Sequence, residues 1–120
     1  MLPGPRALVA FVAGAIVSGK RSSSVYDYSD GSHRLVSGSI SPTDINIYDY
    51  KDACHLTGSG SASELSLYHY GQGAHITLNV RGNSFSGYDY GSGNHFSGQV
   101  SGHSVSLYDY GEGKYFSYSI

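Results

Sequence analysis

Carboxylates and imidazoles recur at fixed intervals along this chain. The triplet Tyr-Asp-Tyr begins at residues 26, 48, 88 and 108, and a fifth copy, beginning at residue 68, carries His69 in place of the acid. Seven residues after the first tyrosine of each triplet stands a second column: His33, His55, His75, His95 and Tyr115. Carboxylates beside imidazoles and phenols could serve acid–base catalysis, metal binding or carbohydrate recognition.

A metal site is the most specific of these possibilities, because it names its ligands. Imidazoles on adjacent strands could share a zinc or copper ion, with neighbouring aspartates as further ligands. The candidate ligands are His33, His55, His69, His75 and His95, and His69–His75 is the favoured pair. The alternative is that each histidine is simply a polar residue beside a turn, copied along with the rest of the repeat. The spacing matches no established ligand motif, so no metal or other cofactor is expected.

Catalysis by an Asp–His pair with one of the many serines is a weaker hypothesis. A catalytic triad is defined by geometry, and the presence of its residue types does not establish one. The chain lacks the Gly-x-Ser-x-Gly nucleophile motif, and no residue strongly interrupts the repeat. The sequence therefore predicts a protein that is not an enzyme and has no catalytic residues.

Rows of tyrosine beside polar side chains are typical of a glycan-binding surface, because a phenol ring stacks on a sugar and its tip stays polar. The alternative is that the rings pack inside and expose only their hydroxyls. The candidate ligand-binding residues are Tyr48, Tyr68, Tyr88, Tyr108, Asp49, Asp89 and Asp109.

Composition narrows the list of partners. The 120 residues carry a net charge of −2 and form no basic cluster, so a nucleic-acid partner is not expected. The single cysteine, Cys54, excludes an internal disulfide. The apolar run at 7–17 is too short to span a bilayer, so a membrane partner is not expected either.

A repeat of about 20 residues predicts a repeat architecture. Each unit combines a triplet, a Gly-rich turn, a strand such as 95–100, a second turn and a short strand that leads into the next triplet. The first unit has two extra residues, which we place in its second turn, at Pro42. Apolar residues align in four columns: Leu35, Leu56, Ile76, Phe96 and Phe116; Ile40, Gly60, Val80, Val100 and Ile120; Ile45, Leu65, Phe85 and Val105; and Ile47, Leu67, Gly87 and Leu107.

Strict alternation of apolar residues at 116–120 indicates β-strands, and we expect an all-β domain. On a straight strand, Tyr108 and Tyr110 would lie on the face opposite to Leu107. A corner after Leu107 would bury the leucine and the tyrosines together and turn Asp109 outward. The stretch 96–102 resembles the inward rows of parallel β-helix proteins. At the level of architecture alone, this resemblance implies a short β-solenoid in which successive units stack.

The alternative is an antiparallel meander or roll of β-hairpins. In it, Tyr88–Tyr90 pairs with Asn94–Phe96 across a three-residue loop that ends at Gly93, which suits a turn with glycine in the left-handed region. Asp89 would then face His95 directly. We prefer the solenoid, because a single-layer meander leaves one apolar set in water, and each enclosed Leu, Val or Phe contributes roughly 1.5–3 kcal/mol.

Two regions follow from the pattern: an apolar N-terminal segment at 1–23 and a β-repeat domain of about 4.5 units at 24–120. The first is either a partial coil or cap, or a signal-like segment, which slightly favours a secreted or cell-surface location. Because the last strand ends uncapped, the main functional expectation is a structural or surface-interaction protein that self-associates through β edges or binds another protein. The alternative is a carbohydrate-binding module that uses the tyrosine rows.

Overall fold

The computed structural model describes residues 1–20, 22–61 and 63–120, which form one helix and ten strands. The elements are α1 (Pro3–Ser18), β1 (Ser24–Asp27), β2 (Ser32–Ile40), β3 (Asp44–Asp49), β4 (Cys54–Gly60), β5 (Glu64–His69), β6 (Ala74–Arg81), β7 (Ser84–Asp89), β8 (Asn94–Ser101), β9 (Ser104–Asp109) and β10 (Lys114–Ser119).

The ten strands form a closed antiparallel barrel in which each strand pairs with its neighbours along the chain. Closure joins the two ends of the sheet, since Tyr26 on β1 pairs with Ser119 on β10. The predicted parallel β-solenoid is therefore wrong, and the antiparallel alternative describes the strand order. Equivalent residues of successive units lie two strands apart and are not stacked. Phe96 on β8 pairs with Asp109 on β9, while its repeat equivalents occupy β6 and β10.

Each triplet continues a straight strand, with its acid inside and its tyrosines outside. Along β9, Val105, Leu107 and Asp109 are buried and alternate with Tyr108, which is half-buried on the outer face. The predicted corner after Leu107 does not form, and the prediction that Asp109 points outward is wrong. Simple alternation puts residues of one parity on one face of a strand. Here the acid belongs to the inward set.

Helix α1 fills the interior of the barrel. Every residue from Gly4 to Gly14 is buried, and the helix forms one core with the inward side chains of the strands. Pro3 lies in the first turn of α1, and Gly19 ends the helix in the left-handed conformation. Proline at the start of a helix and glycine just past its end are a common pair of boundary residues. The apolar segment expected as a coil, cap or signal thus supplies the second layer that a lone meander lacks. No helix among the described residues has the length and hydropathy needed to cross a membrane.

Strand β2 contains the two extra residues of the first unit. Its nine residues exceed the six to eight of the other long strands, and Tyr26 pairs with His33 while Asp49 pairs with Val36. The insertion therefore lies within β2, and its prediction in the turn at Pro42 is wrong. It also turns Leu35 outward, 59% exposed, so Val36 takes the inward place that the first column gave to Leu35. The added inward residue is Arg34.

Glycines let neighbouring strands approach closely at several positions of the barrel, of which Gly87 and Gly98 are two inward examples. A Cβ on Gly87 or on Gly98 would meet a backbone oxygen of the adjacent strand at under 3.0 Å. The ring of Phe96 lies over Gly87, and that of Phe85 over Gly98. A strand glycine typically marks such a close approach or a bend at a barrel corner, and here an aromatic ring on the next strand fills the space above it.

Candidate functional site

Five repeat-related aromatic groups surround the outside of the barrel near the loops that follow the triplets. We call each a tyrosine facet, and we call this end of the barrel the triplet end. A facet contains both tyrosines of one triplet and the residue paired across the hairpin with the first tyrosine. The facets are Tyr26, Tyr28 and His33; Tyr48, Tyr50 and His55; Tyr68, Tyr70 and His75; Tyr88, Tyr90 and His95; and Tyr108, Tyr110 and Tyr115.

The rings within a facet meet edge to face. Ring centres of the two tyrosines lie 4.7–5.0 Å apart, and the first tyrosine lies 4.7–4.9 Å from its cross-strand partner. Edge-to-face pairs contribute about 0.5–1.5 kcal/mol beyond the area they bury. The first tyrosine is half-buried between its two neighbours, whereas the second is 58–63% exposed in every facet. The second ring is therefore held in place and still presents its face to solvent.

Hydroxyl groups from the preceding hairpin lie beside the second tyrosines. Ser37 donates a hydrogen bond to the hydroxyl of Tyr50 at 3.1 Å, and the hydroxyls of Ser97 and Tyr110 are 3.5 Å apart. Tyr110 and Ser97 also border a surface depression of about 370 Å³ whose other lining residues include His95 and Asn94. The aromatic face of one facet and the imidazole of the neighbouring facet, with a serine hydroxyl between them, thus surround one shallow concavity.

The triplet aspartates hold the loops that support the facets. In each of the four acidic copies, one carboxylate oxygen accepts the backbone N–H two residues further on, at 2.9–3.0 Å. In the fifth, Nδ1 of His69 accepts the N–H of Gln72 at 3.1 Å. A side chain that accepts a nearby N–H fixes a turn without a backbone partner. The candidate ligand residues Asp49, Asp89 and Asp109 therefore lie inside the barrel, fully buried, and are separated from the tyrosine surface.

Buried cations offset the charge of two of these acids. Arg34 donates to Asp49 at 2.6 Å, and Arg6 on α1 donates to Asp109 at 3.2 Å. The ammonium of Met1 lies 3.0 Å from Asp109. Although burial raises the pKa of Asp109, this ammonium and the Gly111 and Arg6 donors outweigh it and hold the pKa below its usual value. Pairing of this kind is what allows charged groups to leave water.

Arg6 also ties the helix to the barrel wall. Its Nε donates to the hydroxyl of Tyr118 at 3.0 Å, and its guanidinium lies 3.4 Å from the ring centre of Phe116. Burial raises the pKa of Tyr118 to about 12, even though the neighbouring Arg6 acts in the opposite direction. The arginine thus joins α1 to β9 and β10 through charge, hydrogen bonding and ring contact together.

The predicted contact between Asp89 and His95 does not form. The hairpin loop has four residues, because Asp89 pairs with Asn94, and the added residue shifts His95 opposite Tyr88. Asp89 is buried inside, and His95 is exposed outside. An Asp–His pair across this hairpin would therefore have to pass through the sheet.

The metal candidates are divided in the same way. His33, His55, His75 and His95 are exposed outside the barrel, whereas His69 is buried inside it. His69 and His75 therefore lie on opposite faces of the sheet. Nowhere in residues 1–20, 22–61 and 63–120 do three or more His, Cys, Asp or Glu side chains form a group that could hold a metal ion.

His69 has a sulfur neighbour that the sequence did not reveal. Sγ of Cys54 lies 3.6 Å from Nε2 of His69. Burial raises the pKa of the Cys54 thiol, and burial likewise lowers the pKa of the His69 imidazole. Both groups are therefore neutral near pH 7, which is the reverse of the thiolate–imidazolium ionisation found in reactive cysteines.

The most exposed aromatic residues of the facets were missed in the sequence. The candidate ligand residues include first tyrosines, such as Tyr88, but the open ring faces belong to the second tyrosines, such as Tyr90, and to Tyr115 of the fifth facet. The signal was available, because a second tyrosine adjoins the loop and has fewer neighbours than one inside the strand. Comparison with protein-family models, with curated proteins and with solved structures gave no match.

Proposed function

We propose that this chain is a non-enzymatic binding module that recognises carbohydrate through its tyrosine facets. One observation supports the proposal above the others: all five second tyrosines are 58–63% exposed, and each lies edge to face against the first tyrosine of its triplet. An isolated exposed tyrosine needs no explanation, but five equivalent ones form a patterned surface.

The chemistry at the junction of two neighbouring facets suits a sugar. The flat, rigid ring of Tyr110 can stack on the C–H face of a pyranose, while the hydroxyl of Ser97 and the imidazole of His95 can exchange hydrogen bonds with sugar hydroxyls. Tyrosine loses little side-chain entropy on binding, since it has only two rotatable side-chain bonds. A stacked ring with a few polar neighbours is a low-affinity site, in keeping with a depression that is shallow and open.

Repetition compensates for weak single sites. The five facets lie around one barrel, so a branched or densely presented glycan can occupy more than one of them. Linked binding events of this kind raise the apparent affinity by about 10²–10⁴ without any new contact. We infer that the preferred ligand is a repeating or clustered glycan.

The expectation of assembly through β edges has lost its structural basis. Each of the ten described strands has two hydrogen-bonded neighbours, and β10 pairs with β1 at the place where a free edge was expected. Closure is the arrangement that removes strand edges altogether. The side chains on the outer wall therefore support an interaction better than the backbone of the terminal strand does.

A glycan array followed by titration of the best ligand tests the proposal. Replacement of Tyr70, Tyr90 and Tyr110 by alanine together should weaken binding at least tenfold, because three ring faces are lost. The same three positions changed to phenylalanine should keep most of the binding, since stacking needs the ring. Leu35→Ala is the matched control, because Leu35 is 59% exposed and belongs to no facet.

Circular dichroism of each variant shows whether the barrel remains folded. The proposal fails if the wild-type chain binds no glycan on the array above background. It also fails if the folded triple alanine variant binds as tightly as the Leu35→Ala control.

A further inference from the structure

The end of the barrel opposite the triplet end contains a cavity that is separate from the tyrosine facets. It lies between the C-terminal half of α1 and the hairpin formed by β2 and β3, and its volume is about 240 Å³. We propose that this cavity is a binding site for a small, neutral aromatic compound, a single ring with one hydrogen-bonding substituent. The proposal does not depend on carbohydrate binding, because the facets lie outside the barrel.

The cavity exists because α1 lies off-centre. Gly14 brings the helix so close to the wall that a Cβ at this position would come within 2.6 Å of Ile120 and 3.0 Å of Val105. These contacts hold the helix close to β9, and α1 touches β9 and β8 more than any other strand and β3 least among the strands that line the cavity. The interior on the side of β2 and β3 is consequently left wider than the helix can fill.

Small side chains keep that wider side open. Phe11, Ala15 and Gly19 all line the cavity, and their spacing of four residues places them along one face of the helix. Only Phe11 has a bulky side chain. A leucine or phenylalanine at position 15 would project into the space, whereas alanine leaves it free.

The walls are apolar and the mouth is polar. Phe11 and Ile16 of the helix face Val36, Ile40 and Ile47 of the barrel across the cavity. The lining residues that bring hydroxyl or ammonium groups to the mouth are Lys20, Ser22 and Ser41, whereas the hydroxyl of Ser37 bonds that of Tyr50 on the outer face. Ligand sites commonly combine apolar walls with a few polar groups that orient the ligand.

The polar groups at the mouth argue for a neutral ligand. Nζ of Lys20 interacts with Nε2 of His103 at 2.6 Å, and both side chains are exposed, so this ammonium belongs to the solvent side of the mouth. The hydroxyls of Ser22 and Ser41 already donate to nearby backbone oxygens, and each hydroxyl oxygen can still accept a further hydrogen bond. A ligand hydroxyl, which can donate to such an oxygen, is therefore a better match than a carboxylate, which can only accept.

The volume sets the size of the ligand. An apolar cavity of about 150 Å³ holds benzene. The cavity, about 240 Å³, therefore accommodates one ring with a short side chain. A phenol with a propyl group opposite its hydroxyl has the required shape, with its ring and propyl chain inside the cavity and its hydroxyl at the mouth.

Titration of the whole chain with 4-propylphenol, followed by amide chemical shifts and by thermal unfolding, tests the proposal. We expect saturable binding, a rise in the unfolding temperature, and shift changes centred on Ala15, Val36 and Ile47. Propylbenzene, which lacks the hydroxyl, should bind at least threefold more weakly. Ligands that bind only the folded state raise its apparent stability.

Ala15→Phe fills the cavity and should weaken 4-propylphenol binding at least tenfold, whereas Ala15→Ser preserves the volume and should bind as the wild type does. If Ala15→Phe does not fold, Ala15→Leu replaces it, with the same expectation. The proposal is overturned if binding does not saturate up to the solubility of the probe. It is equally overturned if a folded filling variant binds as tightly as Ala15→Ser, or if the shift changes map to the facets.

Discussion

Replacing Asp89 with alanine should destabilise the barrel far more than an ordinary change near its surface. The buried carboxylate accepts three hydrogen bonds: from the N–H of Gly91 at 2.9 Å, from Nε2 of Gln72 at 3.0 Å and from the hydroxyl of Ser92 at 3.0 Å. Two of these donors belong to the loop, and the third comes from the neighbouring loop. Asp89 therefore links two adjacent hairpins as well as shaping its own.

The magnitude follows from those three bonds. A hydrogen bond to a charged group contributes about 1.5–3 kcal/mol. Gly91 and Ser92 are exposed, so water can partly replace the lost carboxylate for them, whereas Gln72 is half-buried. We therefore expect the free energy of unfolding to fall by about 3–4 kcal/mol, a large part of the 5–15 kcal/mol typical of a domain. Asp89→Asn keeps an accepting oxygen and breaks no ion pair, so it should cost only about 1 kcal/mol.

Urea unfolding followed by circular dichroism measures both changes. Asp44→Ala is the matched control, because Asp44 is an exposed acid on β3 and its change should stay within about 0.5 kcal/mol. The turn-forming role of the triplet acid would be refuted if Asp89→Ala lost no more stability than Asp44→Ala. It would also be refuted if Asp89→Asn and Asp89→Ala were equally destabilised.

Three further outcomes are expected. Gly98→Ala should lose about 1–3 kcal/mol of unfolding free energy in urea, because its Cβ would come within 3.0 Å of the Ser106 carbonyl; an unchanged value contradicts the close approach. Tyr118→Phe should cost about 1–3 kcal/mol in thermal unfolding, because Arg6 loses a buried acceptor, and wild-type stability would argue against that contact. Burial lowers the pKa of His69 below its ordinary value of 6.5. The unfolded chain therefore binds a proton at His69 more readily than the folded chain does. The contribution of His69 to the free energy of unfolding is fully present above pH 6.5 and declines as the pH falls through the lower folded pKa. Urea titrations across this range should give a shallower decline in His69→Asn, and identical pH profiles would exclude the effect.

Local pattern was enough to predict the strands and most of the core. The column that contains Ile47, Leu67 and Leu107 is inward and buried, as alternation indicated. The turn at Gly102 and His103 lies where the glycine predicted it, and Gly102 is in the left-handed region. These features depend on neighbours within a few residues, which is the range over which sequence patterns are informative.

The placement of the triplets failed because two side-chain types were misjudged. Tyrosine was counted with the apolar residues, although its amphipathic ring is satisfied on a wet outer wall. Aspartate was assigned to solvent, although Asp109 is stable inside through loop N–H groups and the cations of Met1 and Arg6. Those cations come from the opposite end of the sequence, more than 100 residues away, so no local pattern could pair them.

The architecture failed for a different reason. A stacked coil buries more apolar surface than an open meander does, but a meander closed around a helix buries its inward face fully. The segment at 7–17, rich in alanine and valine and containing Gly14, has the small and apolar surface needed inside a narrow barrel. Closure also depends on the stagger of the strands, to which the two added residues of β2 contribute. One of these residues is Arg34, which is inward because it directly follows the outward His33 on the strand.

Nuclear Overhauser contacts across the seam between β1 and β10 test the closed barrel most directly. The account predicts close contacts between Tyr26 and Ser119 and between Asp27 and Tyr118, together with contacts from Arg6 to Tyr118 inside. Contacts that instead join Phe96 to Ile76 and Phe116 as adjacent, parallel neighbours would contradict it.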